Sequence, residues 1–158
     1  MGFSVSASAA IIFISFLMVA GTLYTAWDNA YANVQAAQKY WYEMRLSRLH
    51  FDVSDISVTA SGTSDIDVTF KYRGQTLTGG IAILHNGAYV SSVDLGYLIP
   101  SKSYTVTVTN GADTSGNTNY VLLGFDNGCT LLIEYYYDTG TSTYKVGPYY
   151  IQCPTEVS

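Results

Sequence analysis

Ala9-Ala10-Ile11-Ile12-Phe13-Ile14-Ser15-Phe16-Leu17-Met18-Val19-Ala20-Gly21 is nearly continuous hydrocarbon. No Asp, Glu, Lys, Arg or His stands between Met1 and Trp27, and the first such residue is Asp28. About 20 apolar residues cross a bilayer as a helix, and Phe3 to Leu23 has that length. A cleaved secretory leader carries a basic segment ahead of its apolar run; no Lys or Arg precedes this one. The expectation is an uncleaved N-terminal anchor, with a removed leader as the alternative. Phe3, Ile11, Ile12, Phe13, Phe16, Leu17, Val19, Leu23 and Trp27 are the residues expected to meet lipid or neighbouring helices.

Beyond the apolar run the helical signal continues. From Leu23 to about Leu49 there is no Pro and no Gly, and Leu23, Trp27, Ala30, Val34, Ala37, Trp41, Met44 and Arg48 recur at spacings of three and four. That is an amphipathic helical stripe. Tyr24 and Trp27 fall where aromatics settle at a water–lipid boundary. The spacing predicts one helix of roughly 45 residues, about 65–70 Å long. The apolar face of its outer half has nothing local to cover it and must pack on a partner or on the chain that follows.

After His50 the period becomes two. Ile66, Val68, Phe70 and Tyr72 alternate with Asp65, Asp67, Thr69, Lys71 and Arg73, and Tyr104, Val106 and Val108 alternate with threonines. His85-Asn86-Gly87-Ala88 sets Asn-Gly between two apolar runs, the strongest short hairpin signal. It predicts Ile83 opposite Val90 and Leu84 opposite Tyr89. Further strands are expected near 52–60, 119–124, 129–137 and 144–153. Seven or eight short strands separated by Gly, Ser, Thr and Asn turns read as an all-β antiparallel immunoglobulin-like sandwich. The expected organisation is therefore a membrane-spanning and extended helix over 1–49 and an extracellular β-sandwich domain over 50–158.

Composition narrows the function classes. The 158 residues include only 12% charged side chains, about half the globular norm of ~25%, against 48% hydrophobic ones. Such a chain is too apolar for intrinsic disorder. Seven Lys and Arg against twelve Asp and Glu give a net charge of −5, which speaks against nucleic-acid binding. Fifteen tyrosines and two cysteines are present, too few thiols for a disulfide-dense scaffold or a four-thiolate zinc site.

Register arithmetic ties the two cysteines together. A hairpin centred on Thr141 makes opposed positions sum to 282, placing Cys129 opposite Cys153, Leu131 opposite Ile151, Ile133 opposite Tyr149 and Tyr135 opposite Gly147 on one apolar face. A disulfide between Cys129 and Cys153 then needs little distortion; two buried free thiols are the alternative. Pro148 marks the last strand as an edge.

No catalytic or metal constellation is apparent, and neither enzyme activity nor a cofactor is expected. His50 and His85 stand on different elements, and His85 reads as an exposed strand end. Asp65 and Asp67 read as a solvated strand face and Asp113-Thr114-Ser115-Gly116-Asn117-Thr118-Asn119 as a plain turn, since it lacks the bidentate Glu that closes a calcium loop.

Met1 to Phe13, followed by Gly21-Thr22-Leu23-Tyr24-Thr25-Ala26-Trp27-Asp28-Asn29 and Val34-Gln35-Ala36-Ala37, resembles the N-terminus of the archaeal flagellar accessory protein F family. The resemblance covers about the first 45 residues. It implies a component of the archaellum, the archaeal motility machinery, with a membrane helix and an extracellular β-sandwich that engages the surface (S-) layer as a stator-side anchor. The implied partners are S-layer protein, other archaellum components, the lipid membrane and further copies of the chain as a homodimer or homo-oligomer. More loosely, the segment resembles the helix of type IV pilin-like filament subunits. The alternative function is accordingly a structural subunit of a pilus-like or archaellum filament, with Gly2-Phe3 as the junction at which processing would occur.

Lys39, Arg45 and Arg48 follow the apolar run, and the positive-inside rule alone would place them in the cytoplasm. Lys39 stands ~16 residues beyond Leu23, at the limit of that rule's range. The Tyr/Thr/Ser-rich strands and the cysteine pair point outward, and outward is the expected topology. Tyr136 and Tyr150, on the strand face away from the cysteines, are the candidate binding face.

Overall fold

The computed structural model describes residues 3–154, and side chains from Ala7 onward. Gly2 of the expected junction and the Phe3 side chain lie outside the described residues. Helix α1 (Phe3–Leu49) runs 47 residues without a break. In its apolar half Ser15 Oγ donates to the Ile11 carbonyl at 2.8 Å and Thr22 Oγ1 to the Val19 carbonyl at 2.9 Å. By length and composition the helix can cross a membrane.

The chain divides into two compact units, Met1–Glu43 and Met44–Ser158. In the first, every described side chain is exposed. The second holds the end of α1 and eight strands: β1 (Val53–Ser61), β2 (Asp65–Tyr72), β3 (Leu77–His85), β4 (Ala88–Leu98), β5 (Ser103–Val108), β6 (Thr118–Phe125), β7 (Thr130–Asp138) and β8 (Thr143–Gln152). They form two antiparallel sheets, ordered β1-β2-β5 and β4-β3-β6-β7-β8. One apolar core joins them, from Val58, Ile66, Val68, Phe70, Val106 and Val108 on one side to Ile81, Ile83, Val121, Leu123, Leu131 and Ile133 on the other. Phe125 meets Phe70 edge-on at 6.0 Å and Phe51 at 4.7 Å. In β2 the strict alternation of Ile66, Val68, Phe70 and Tyr72 with polar residues becomes strict alternation of burial: period two selects one face for the core.

The sequence boundary at His50 differs from the structural one. The last turn of the helix belongs to the β unit because it is tied there. Arg48 Nε donates to the Asn127 carbonyl at 2.7 Å, and Asn127 Nδ2 donates back to the Ser47 carbonyl at 3.3 Å. Ser47 and Asn127 are buried, and Phe51 closes the joint against Tyr72. Met44 and Arg48 of the helical stripe are thus half-buried.

Two hairpin registers also differ from expectation. In β3–β4, Asn86 and Gly87 take the positive φ angles (49° and 84°) of the predicted turn, and Leu84 does pair with Tyr89. Ile83 pairs with Ser91 rather than Val90, because a bulge intervenes and keeps both Ile83 and Val90 packed on the core. In β7–β8, Leu131 pairs with Ile151 and Ile133 with Tyr149, but Tyr135 meets Val146 rather than Gly147. The bulge falls at Gly147-Pro148, where Pro148 has no N–H to donate, and β8 is the sheet edge. Cys129 and Cys153 are joined by a disulfide with Cα atoms 4.1 Å apart.

Candidate functional site

Strands in the middle of a one-sided sheet should show polar residues on the outer face. Three segments do not: Ile83-Leu84, Val121-Leu122-Leu123 and Leu131-Leu132-Ile133 are apolar at consecutive positions. Their odd members go to the core and the even ones come out. Cross-strand pairing then lines the outer residues up: Tyr89 with Leu84, Leu84 with Leu122, Leu122 with Leu132, and Leu132 with Tyr150. The result is one apolar row across all five strands. The leucines are half-buried by their neighbours, while its ends, Tyr89 and Tyr150, are 65% and 56% exposed.

Beside this row, Tyr120 pairs with Glu134 and Tyr136 with both Thr118 and Lys145. Tyr136 and Tyr150 thus share the outer face, but four residues along β7 separate Tyr136 from Leu132, Tyr150's partner, a spacing of ~13 Å. Tyr150 belongs to the row, and Tyr136 flanks it past Glu134. On the row's other side Gly80, Ala82, Ser92, Gly124 and Thr130 are small, leaving an open trough of about 1080 Å³ that reaches Asp94, Tyr97 and Asp126. Asp126 fills the space over Gly80 by accepting its N–H at 3.1 Å, and any Cβ at Gly80 would collide with that carboxylate.

Leu84 and Tyr89 were expected only as a hairpin pair, and Leu122, Leu132 and Tyr120 were not singled out by sequence. The usable signal was the break in alternation at Leu122 and Leu132; the rest depended on which strands become neighbours.

His85 is not a free strand end. Its side chain turns inward, half-buried, with Nε2 2.8 Å from Tyr135 Oη. Tyr135 has one hydroxyl proton and gives it to the Gly111 carbonyl at 2.6 Å, so His85 Nε2 must be the donor to Tyr135 Oη. Burial lowers the His85 pKa below its usual 6.5, opposed by the Asp113 charge. Burial also raises the Tyr135 hydroxyl well above 10.

Asp113 organises its own loop. Its carboxylate accepts from Ser115 N at 2.8 Å, Ser115 Oγ at 2.5 Å and Asn119 Nδ2 at 3.2 Å, and these bonds hold its pKa below the usual carboxylate value. Asp65 accepts from Asn110 N at 3.0 Å and Asp67 from Thr107 Oγ1 at 2.6 Å. Among the described residues no cluster of three or more His, Cys, Asp or Glu side chains is placed to hold a metal ion.

On the helix, Ile11, Ile12, Phe13, Phe16, Leu17, Val19, Leu23 and Trp27 are all exposed in the single chain. Together with Ile14 and Met18, which are also exposed, they put apolar surface all round α1, as lipid contact requires, and form no concave site. The chain matches no known protein-family model and no curated protein.

Proposed function

We propose that this protein is a non-enzymatic, membrane-anchored adhesion module, with α1 in the bilayer and the β unit outside the cytoplasm gripping a protein surface through its five-stranded sheet. The observation that carries this reading is the apolar row Tyr89–Leu84–Leu122–Leu132–Tyr150 on a solvent face. Aromatic residues with a polar tip are the side chains enriched at protein interfaces. The disulfide supports the outward topology, because such bonds persist in oxidising compartments. The strand order supports the immunoglobulin-like reading: β1-β2-β5 faces β3-β6-β7, the A-B-E and C-F-G groups of that fold, with β4 and β8 added at the edges.

The resemblance of the N-terminal residues to the archaellum accessory protein F family specifies the partner: the S-layer, held as a stator-side anchor for the motility filament. The acidic excess of the chain after residue 50, ten Asp and Glu against four Lys and Arg, would speed encounter with a basic patch more than tighten the grip. The filament-subunit reading draws on the same uninterrupted helix. N-terminal mass spectrometry of the native protein separates the two, since processing at Gly2-Phe3 favours a filament.

The test is a binding titration of S-layer protein against the 44–158 fragment and its Tyr89→Ser/Tyr150→Ser variant. The expected outcome is saturable binding by the parent and at least tenfold weaker binding by the variant. Equal binding by both moves the interface elsewhere, and no binding by the parent removes the S-layer reading.

A further inference from the structure

The stripe on α1 repeats every seven residues. Trp27, Val34 and Trp41 occupy one position of a heptad and Leu23, Ala30 and Ala37 the other, and Ala9, Phe13, Phe16 and Ala20 continue the same spacing upstream. Every Asp, Asn, Gln and Lys between Leu23 and Trp41 falls off these positions. An α-helix turns every 3.6 residues, so a strict seven-residue stripe drifts by ~20° per heptad, about 50° over the 18 residues from Leu23 to Trp41, where the polar residues lie off the stripe. A flat surface such as a bilayer follows no such drift; a second helix supercoiled around the first does.

Lipid cannot cover the outer end of the stripe. Trp41 lies 14 residues beyond Trp27, ~21 Å along the axis, whereas the interfacial zone on each side of a bilayer is only about 5–8 Å deep. With Trp27 at the boundary, Val34, Ala37 and Trp41 stand in water, and Trp41 is 61% exposed. An indole in that position leaves apolar surface uncovered.

We infer that α1 pairs with α1 of a second copy of this chain, parallel and in register, through Leu23, Trp27, Ala30, Val34, Ala37 and Trp41. This rests on the anchored reading above, because helices inserted from the same side of a bilayer meet parallel. The charges favour a like partner. Asp28, Lys39 and Glu43 all lie on the far side from the stripe, where Lys39 and Glu43 pair with each other at 3.9 Å. The positions flanking the stripe carry Tyr24, Tyr31 and Gln38 on one side and Ala26, Asn33 and Tyr40 on the other, so between Leu23 and Trp41 two identical helices bring no like charges together. The two tryptophans alone would bury ~300–500 Å² per chain if fully covered. With Leu23, Val34, the alanines and the flanking tyrosines the seam offers on the order of 600–800 Å² per chain, the size of a stable pairwise interface. The repeat ends where the β unit takes over Met44 and Arg48.

Four single-cysteine variants of the full chain in phosphatidylcholine vesicles test the pairing: Ala30→Cys and Ala37→Cys on the stripe, Ala32→Cys and Ala36→Cys off it. The native cysteines are already bonded to each other and stay silent under copper–phenanthroline oxidation. The expected result is cross-linked dimer forming at least tenfold faster at 30 and 37 than at 32 and 36, with Trp41→Ala slowing the Ala37→Cys reaction at least fivefold. Equal rates at all four positions, or no dimer at any, overturn the pairing; the latter is also the result if Trp41 folds onto its own chain. Alkaline carbonate washing of the same vesicles reports the anchor separately. Release of the chain overturns the membrane reading, and the same four rates measured in aqueous solution then decide the pairing on its own.

Discussion

Between Ala7 and Glu43 no described side chain is buried, while in the 44–158 unit β2 and β6 bury each of their inward residues. The two regions are apolar for different reasons. In the β unit, alternation lets each strand turn one face inward, so the chain supplies its own cover. A lone helix has nothing to turn toward, and its hydrocarbon must be covered by lipid or by another molecule. Substitutions in the two regions should therefore report on different equilibria: intramolecular stability for one, insertion and association for the other.

The largest expected contrast is between Phe125→Ala and Val34→Ala. Phe125 is buried and holds Phe51 and Phe70 edge-on, so its loss should cost about 3–5 kcal/mol. Val34→Ala should leave β-unit unfolding in urea unchanged. A Val34 effect above about 1 kcal/mol on that transition would show that the helix is covered by its own chain.

Next is the disulfide, which spans 24 residues and pins the start of β7 to the end of β8. Cys129→Ala/Cys153→Ala should destabilise the β unit by ~3 kcal/mol, read as a lower unfolding midpoint in urea. An unchanged midpoint would mean that the β7–β8 ladder alone holds the edge.

A smaller effect concerns the joint. The 44–158 fragment should be about 2 kcal/mol more stable than the 50–158 fragment, since the shorter one leaves Asn127 without Ser47 and Arg48. Equal stability would move the boundary back to His50.

The smallest is pH dependence. The His85 pKa is lower folded than unfolded, so the unfolded chain binds the proton more readily and stability falls as pH drops through about 6.5, levelling off below the folded value. His85→Gln should flatten that step in thermal melts. Asp113 and Asp138 are shifted below 3.8, so their contribution is present at neutral pH and is lost only on further acidification below about 4.

Some of this was legible without coordinates because it depends on neighbours in the chain. Spacings of three and four carried α1, Asn86-Gly87 carried its turn, and alternation around Thr141 brought Cys129 across from Cys153. Each is local: helix periodicity and hairpin register are set by covalent geometry over a few residues. The bulges at Ile83/Leu84 and Ile133/Tyr135 were not legible, since a one-residue slip is chosen by what packs on the core across the sheet. Nor was the neighbourhood of β3 with β6, which brings Leu84 beside Leu122 and His85 into reach of Tyr135 two strands away. Sequence by itself determined that an apolar helix precedes a β unit and that the two cysteines face each other. Only tertiary structure decided which apolar residues remain outside as a surface, because strand order is settled by competition for one shared core.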